Sequence, residues 1–120
     1  MESTTIFSGY LLKLGGFGIS KWQRRFFALQ ADRLDYWHEE HEFVYRKKVT
    51  GSIQLQGYSL ETLDGDLEKP LCFQLVHENK KRYVLEAPND NAYKDWILYL
   101  QKLLQQVTFL PLDQEHIMMS

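Results

Sequence analysis

The hydrophobic period of this 120-residue chain changes once, near Pro88. Beyond that point Tyr93, Trp96, Ile97, Leu100, Leu103 and Leu104 fall at i, i+3, i+4, i+7, i+10 and i+11, one apolar stripe on a helix expected to end about Gln106. Lys94, Gln101, Lys102 and Gln105 occupy the opposite, polar side. Asn89 or Asp90 is the expected N-cap, and Pro111 with the residues after it reads as a tail. A helix so apolar along one side must bury that side, and the remaining sequence offers only strands to bury it against.

Those strands are legible from short aromatic and aliphatic runs separated by turn residues. Segments 9–14, 21–30, 34–37, 51–55, 58–63, 71–77 and 82–87 fit this description. Gly15-Gly16 and Gly18 punctuate the first pair, Ala31-Asp32-Arg33 the second, and Glu78-Asn79-Lys80-Lys81 the last. The polar stretch 38–48 is expected to be a long connection. The expected fold is mainly β with one α-helix: a seven-stranded antiparallel bent barrel or sandwich, its open end capped by the C-terminal helix. The expected organisation is an N-terminal tail over 1–7, one domain over 8–107 and a C-terminal tail over 108–120.

Composition narrows the function classes. A hydrophobic fraction of 44% and a charged fraction of 25% fit an ordinary globular domain. The formal charge of −2 argues against a nucleic-acid binder, so attraction to anions must come from a local patch. The lone Cys72 permits no internal disulfide and reads as a small strand side chain. No apolar run approaches the ~20 residues of a membrane-spanning helix, and the N-terminus lacks the features of a signal peptide. The expected setting is cytoplasmic, as a monomer, with any membrane contact peripheral.

Three segments together resemble the pleckstrin-homology (PH) domain family, over nearly the whole span 8–106. Gly9-Tyr10-Leu11-Leu12-Lys13 is similar to the family's opening strand, and Trp22-Gln23-Arg24-Arg25-Phe26-Phe27-Ala28-Leu29 to its second. Trp96-Ile97 stands where the family places its helix tryptophan. The resemblance implies a seven-stranded bent barrel capped by the helix. It also implies a ligand site at the mouth between the first strands, where many members bind phosphoinositide head groups and many others bind proteins or nothing measurable.

Strand parity says which cations converge there. Gln23, Arg25, Phe27 and Leu29 share one face of the second strand, so core-facing Phe27 and Leu29 place Gln23 and Arg25 toward the mouth. Lys21 begins the same row. Lys13 shares a face with Leu11, and Tyr36 with Leu34, whereas Arg24 points away with Trp22 and Phe26. Arginine grips phosphate bidentately and lysine acts as a mobile point charge. Lys13, Arg25 and Tyr36 are therefore the expected head-group contacts, supported by Lys21 and by a hydrogen bond from Gln23. Inositide binders of the family usually carry a cation where this chain has Gln23. Lys47 and Lys48, with Arg46, either offset that loss from the long connection or form a solvated run balanced by Glu39, Glu40 and Glu42. For Lys13 and Arg25 the alternative to ligand contact is a structural salt bridge to a loop carboxylate, and for Tyr36 it is an ordinary amphipathic strand position. Phe17 and Ile19, at the tip of the glycine-rich loop, either dip into a membrane interface or pack on the barrel rim.

No catalytic constellation stands out. Gly16-x-Gly18 lacks the third glycine of a dinucleotide loop, and His38 and His41 are spaced three apart where a zinc-protease helix needs four. No cofactor or metal is expected, and the chain reads as a non-enzymatic binding module. The expected function is phosphoinositide-directed, reversible targeting to the cytosolic face of a membrane. The alternative is a protein-protein interaction module on the same scaffold.

Overall fold

The structure, a computed structural model, describes residues 4–15, 21–63 and 68–119, with side chains described as far as residue 105. Seven strands form one antiparallel sheet: β1 (Phe7–Leu14), β2 (Trp22–Leu29), β3 (Arg33–Trp37), β4 (Gly51–Gln54), β5 (Ser59–Thr62), β6 (Cys72–Val76) and β7 (Tyr83–Glu86). A short helix, α1 (Glu40–Val44), lies between β3 and β4, and α2 (Asp90–Met119) closes the chain. The strand order is β4-β3-β2-β1-β7-β6-β5, so the consecutive strands β4 and β5 form the two edges. Every strand segment expected from the alternation is present.

Antiparallel pairing fixes where the connections lie. β1 pairs with β2 and with β7, and β2 with β3, all antiparallel. The β1–β2, β3–β4 and β6–β7 connections therefore share one end of the sheet, where β1 finishes. At the other end, where β1 begins, α2 covers the core. Phe7 meets Trp96 edge-on at a centroid distance of 4.8 Å and stacks on Tyr99 at 4.9 Å. Asn89 caps α2, its Oδ1 accepting the Ala92 N–H at 2.8 Å. Trp96, Leu100, Leu103 and Leu104 are buried with Leu11, Phe27, Leu29, Leu34, Ile53, Leu75 and Leu85 in one cluster.

Two local features differ from the sequence reading. α2 continues past Gln106 to Met119, where a tail was expected. Proline inside a helix removes a hydrogen bond, but Leu112, Gln114, Glu115 and the methionines near the end favour helix. The second feature is α1, five residues of helix inside the expected long connection. Glu42 Oε1 accepts the Glu39 N–H at 2.9 Å, holding the first turn. Phe43 then packs on Phe26 and Trp37, with ring centroids 5.3 and 5.2 Å away. So short a helix forms because a tertiary partner covers it, and no periodicity announces such a helix. This outer cluster of Phe26, Ala28 and Trp37 lies on the face of the sheet opposite the main core.

Trp96 is 1% exposed at the centre of the cap. Trp96→Ala is expected to lower unfolding free energy by about 3–5 kcal/mol, the usual range for a large aromatic removed from a core. Urea denaturation of the variant beside the parent checks it.

Candidate functional site

The inward row of β1 runs Phe7, Gly9, Leu11, Lys13, from the α2 cap to the far end of the sheet. Lys13 therefore follows a core leucine on the same face and is only 6% exposed. Directly across the β1–β2 pair, Gln23 faces Lys13 and Arg25 faces Leu11. Phe27 in turn faces Tyr36 on β3, so Lys13, Gln23, Arg25 and Tyr36 share one face of the sheet near one end. The Lys13 ammonium sits 5.7 Å from the centroid of the Tyr36 ring and 6.0 Å from that of Tyr83, in cation–π range of both.

This placement has an electrostatic consequence. Burial, then the nearby charges of Lys81 and Arg25, hold the Lys13 ammonium below its ordinary pKa of 10.5. Arg25 is half-buried as a residue, and its Nη1 donates to the Arg24 carbonyl at 2.8 Å. Among the described residues no carboxylate forms an ion pair with Lys13, Arg25 or Lys81. Cations gathered without an acid leave a positive hollow suited to a multiply charged anion.

The other expected contacts fall at different distances from this hollow. Lys21 is exposed at the neck of the β1–β2 connection, where its carbonyl accepts the Gly15 N–H at 2.7 Å. Phe17 and Ile19 lie outside the described residues. Lys47 and Lys48 are exposed beyond α1, and the Lys47 carbonyl accepts from Trp37 Nε1 at 3.0 Å. That bond ties the segment to the outer cluster and not to the Lys13 row. Arg24 also lies on the outer face: its guanidinium stacks 3.7 Å above the Tyr10 ring and reaches Glu39 at 3.6 Å.

Three further residues belong to the hollow. Lys81 bears on Lys13 electrostatically and lies 5.3 Å from the Tyr83 ring centroid. Tyr83 alternates with buried Leu85 and Ala87, so the parity that identified Lys13 also points it inward. Burial, then Tyr58 and Tyr36, push its phenol above the ordinary tyrosine range. Gly51 faces Tyr36 across the β3–β4 pair, and a Cβ there would collide with the Tyr36 ring and hydroxyl. The glycine thus lets the Tyr36 ring lie over β4, which sets where its hydroxyl points.

The comparisons agree with this architecture. The PH domain family model matches residues 5–105. Human cytohesin-2 is 38% identical over 84 residues, covering 70% of this chain and 20% of that protein. The chain thus spans about a fifth of the length of such relatives. The solution structure of the PH domain of human oxysterol binding protein-related protein 11 superposes with a TM-score of 0.70 at 28% identity, covering 85% of this chain and 82% of that one. The C-terminal PH domain of pleckstrin, solved in complex with D-myo-Ins(1,2,3,5,6)P5, has a TM-score of 0.70 at 24% identity, over 87% of this chain and 99% of that one.

A folded-state pKa below the unfolded one means that folding opposes the charge on Lys13. The penalty is fully present below the folded pKa and fades as pH rises toward the unfolded value. Lys13→Met removes the charge and keeps an unbranched side chain, so it is expected to stabilise the free domain at neutral pH by about 0.5–2 kcal/mol. A raised urea midpoint checks this, and a lowered one would show that the ammonium supports the fold. Seven antiparallel strands, the capping helix with buried Trp96 and the matched span make this chain a member of the PH domain family, a non-catalytic binding fold.

Proposed function

We propose that the domain binds a phosphoinositide head group in the hollow at the end of β1 and so directs its protein reversibly to the cytosolic face of membranes. The observation that carries this reading is Lys13: a lysine only 6% exposed, its ammonium near two further cations, with no carboxylate paired to it among the described residues. Arg25 supplies the bidentate grip, while the Tyr36 hydroxyl and the Gln23 amide add neutral hydrogen bonds. Lys21 closes the neck, and Lys47 and Lys48 add long-range attraction that salt screens. Pleckstrin's domain, of the same fold, was solved with an inositol pentakisphosphate. No described helix is long and apolar enough to cross a membrane, so contact of this kind is made from the surface.

A protein-interaction module is the second reading, favoured by Gln23 in place of a cation and by the formal charge of −2. Sedimentation with liposomes carrying individual phosphoinositides separates the two. Specific binding that Arg25→Ala reduces at least tenfold supports the head-group reading, a loss equal to one charge-assisted contact. Absence of binding to every anionic liposome favours the protein partner.

The pH dependence has a defined sign. A bound phosphate favours charged Lys13 and raises its pKa, so the complex takes up a proton wherever the free domain has lost one. Affinity is therefore fully present below the lowered Lys13 pKa and falls as pH rises through it. Calorimetric titration across the alkaline range checks this, with Lys13→Met expected to remove that component of the pH dependence.

A further inference from the structure

Thr50 offers a hydroxyl that the described fold does not use. It is exposed, lies just before β4, and closes the run Arg46-Lys47-Lys48-Val49-Thr50, so that cations stand four, three and two positions ahead of it. Several other hydroxyls are committed to structure. The Ser52 hydroxyl donates to Asp35 at 2.7 Å, the Ser59 hydroxyl to the Val76 carbonyl at 3.4 Å, and the Thr5 hydroxyl accepts from Gln30 at 3.2 Å. Among the described residues the Thr50 hydroxyl has no such partner, and neither Lys47 nor Lys48 forms an ion pair.

The end of α1 delivers this segment to the surface. The Arg46 N–H donates to the Phe43 carbonyl at 3.1 Å and the Lys47 N–H to the Glu42 carbonyl at 2.8 Å, with Arg46 at φ 56°. This is the terminating geometry in which a left-handed residue reverses the chain and stops the helix. Residues 47–50 then run outside both helix and strand. Their ties are few: Trp37 Nε1 on the Lys47 carbonyl, the Thr50 N–H on the Tyr36 carbonyl at 2.9 Å, and Val49 against the outer cluster. A segment held this lightly opens into another protein's cleft at small cost, without unpairing β3 from β4.

Cations at fixed positions before a hydroxyl suit an enzyme whose cleft presents carboxylates, because charge-assisted pairs set both affinity and register. We infer that Thr50 is the acceptor of a serine/threonine protein kinase that selects basic residues, and that its phosphate weakens head-group binding. In that step the Thr50 Oγ1 bonds to the γ-phosphorus of ATP as the bond from that phosphorus to the β–γ bridging oxygen breaks. ADP leaves, and the hydroxyl proton passes to the kinase's catalytic carboxylate. The product adds about −1.5 to −2 charges at pH 7. It stands next to Gly51, over which the Tyr36 hydroxyl lies, and the Tyr36 ring is 5.7 Å from the Lys13 ammonium. A dianion there draws on Lys47 and Lys48 and repels an incoming phosphate. The effect on binding rests on the head-group reading above, whereas the phosphorylation itself does not.

The test treats the folded full chain, and a peptide of residues 44–54, with ATP and a purified kinase of this class. Each is expected to gain one phosphoryl group, placed on Thr50 by fragmentation mass spectrometry, and Thr50→Ala to remain unmodified. Lys47→Gln combined with Lys48→Gln is expected to lower kcat/KM about tenfold, as loss of a charge-assisted contact does. No phosphate on the folded chain, phosphate on another residue instead, or an unchanged rate in the glutamine variant overturns the site. A peptide modified where the folded chain is not would show that the fold hides Thr50, which overturns it too. Vesicles of phosphatidylcholine containing one phosphoinositide read the consequence. The phosphorylated chain is expected to bind them about tenfold more weakly, and Thr50→Ala to bind like the untreated parent with or without kinase. Equal binding of the phosphorylated and untreated chains overturns the effect on the hollow. Failure of the untreated parent to bind any vesicle instead overturns the head-group reading and the effect together, and leaves only the phosphorylation standing.

Discussion

The inward row of β1 orders the whole molecule. Its first residues, Phe7 and Gly9, lie under the α2 cap, its middle residue Leu11 is core, and its last, Lys13, ends beside the hollow. A strand's side chains alternate with a period of two, so this row cannot change faces partway. Once Leu11 is committed to the core, Lys13 must point inward too. The cap decides which end stays open: α2 covers the end where β1 begins. A buried ammonium in this domain thus follows from a core leucine and a capping tryptophan, together with the rule of alternation.

That geometry sets stability against binding. Desolvation and two neighbouring cations disfavour the charge on Lys13, and no described carboxylate pairs with it. A core position of this sort would ordinarily hold an apolar side chain, which makes the fold more stable and the hollow uncharged. The Tyr36 and Tyr83 rings offset part of the cost by presenting π-faces to the ammonium. Neither ring neutralises it. The remaining imbalance is available to an incoming anion, whose binding relieves repulsion that the free domain carries.

Much of this was legible before any coordinates because it depends on local rules. Alternation located all seven strands, the 3.6 period located α2, and parity placed Lys13, Gln23 and Arg25 on one face while sending Arg24 to the other. What escaped depends on tertiary neighbours. α1 exists because Phe43 has Phe26 and Trp37 to pack on, and the polar residues around it gave no periodic signal. Lys81 read as part of a polar turn, since only the strand order brings the β6–β7 connection to the same end as β1–β2. Tyr83 could have been found by the parity argument applied to β7. Gly51 matters through a ring on the neighbouring strand, and nothing in its own segment marks it. The expected flanking role of Lys47 and Lys48 rested on proximity along the chain, whereas the Lys47 carbonyl is tied to Trp37 on the outer face.

A formal charge of −2 weighs against an anion ligand only if charge is spread evenly, and its distribution matters more than its sum. Several acids are engaged on the other face of the sheet. Glu39 accepts from the Tyr10 hydroxyl at 3.1 Å and pairs with Arg24, and Glu42 accepts the Glu39 N–H, all on the outer face. Asp35 serves Arg33 and Ser52. α1 is therefore more than a detour in the β3–β4 connection: by folding onto the outer cluster it holds Glu39 and Glu42 on the far side of the sheet from Lys13. The outer-face acids are matched by outer-face bases, Glu39 by Arg24 and Asp35 by Arg33, so a nearly neutral domain keeps unpaired positive charge around Lys13.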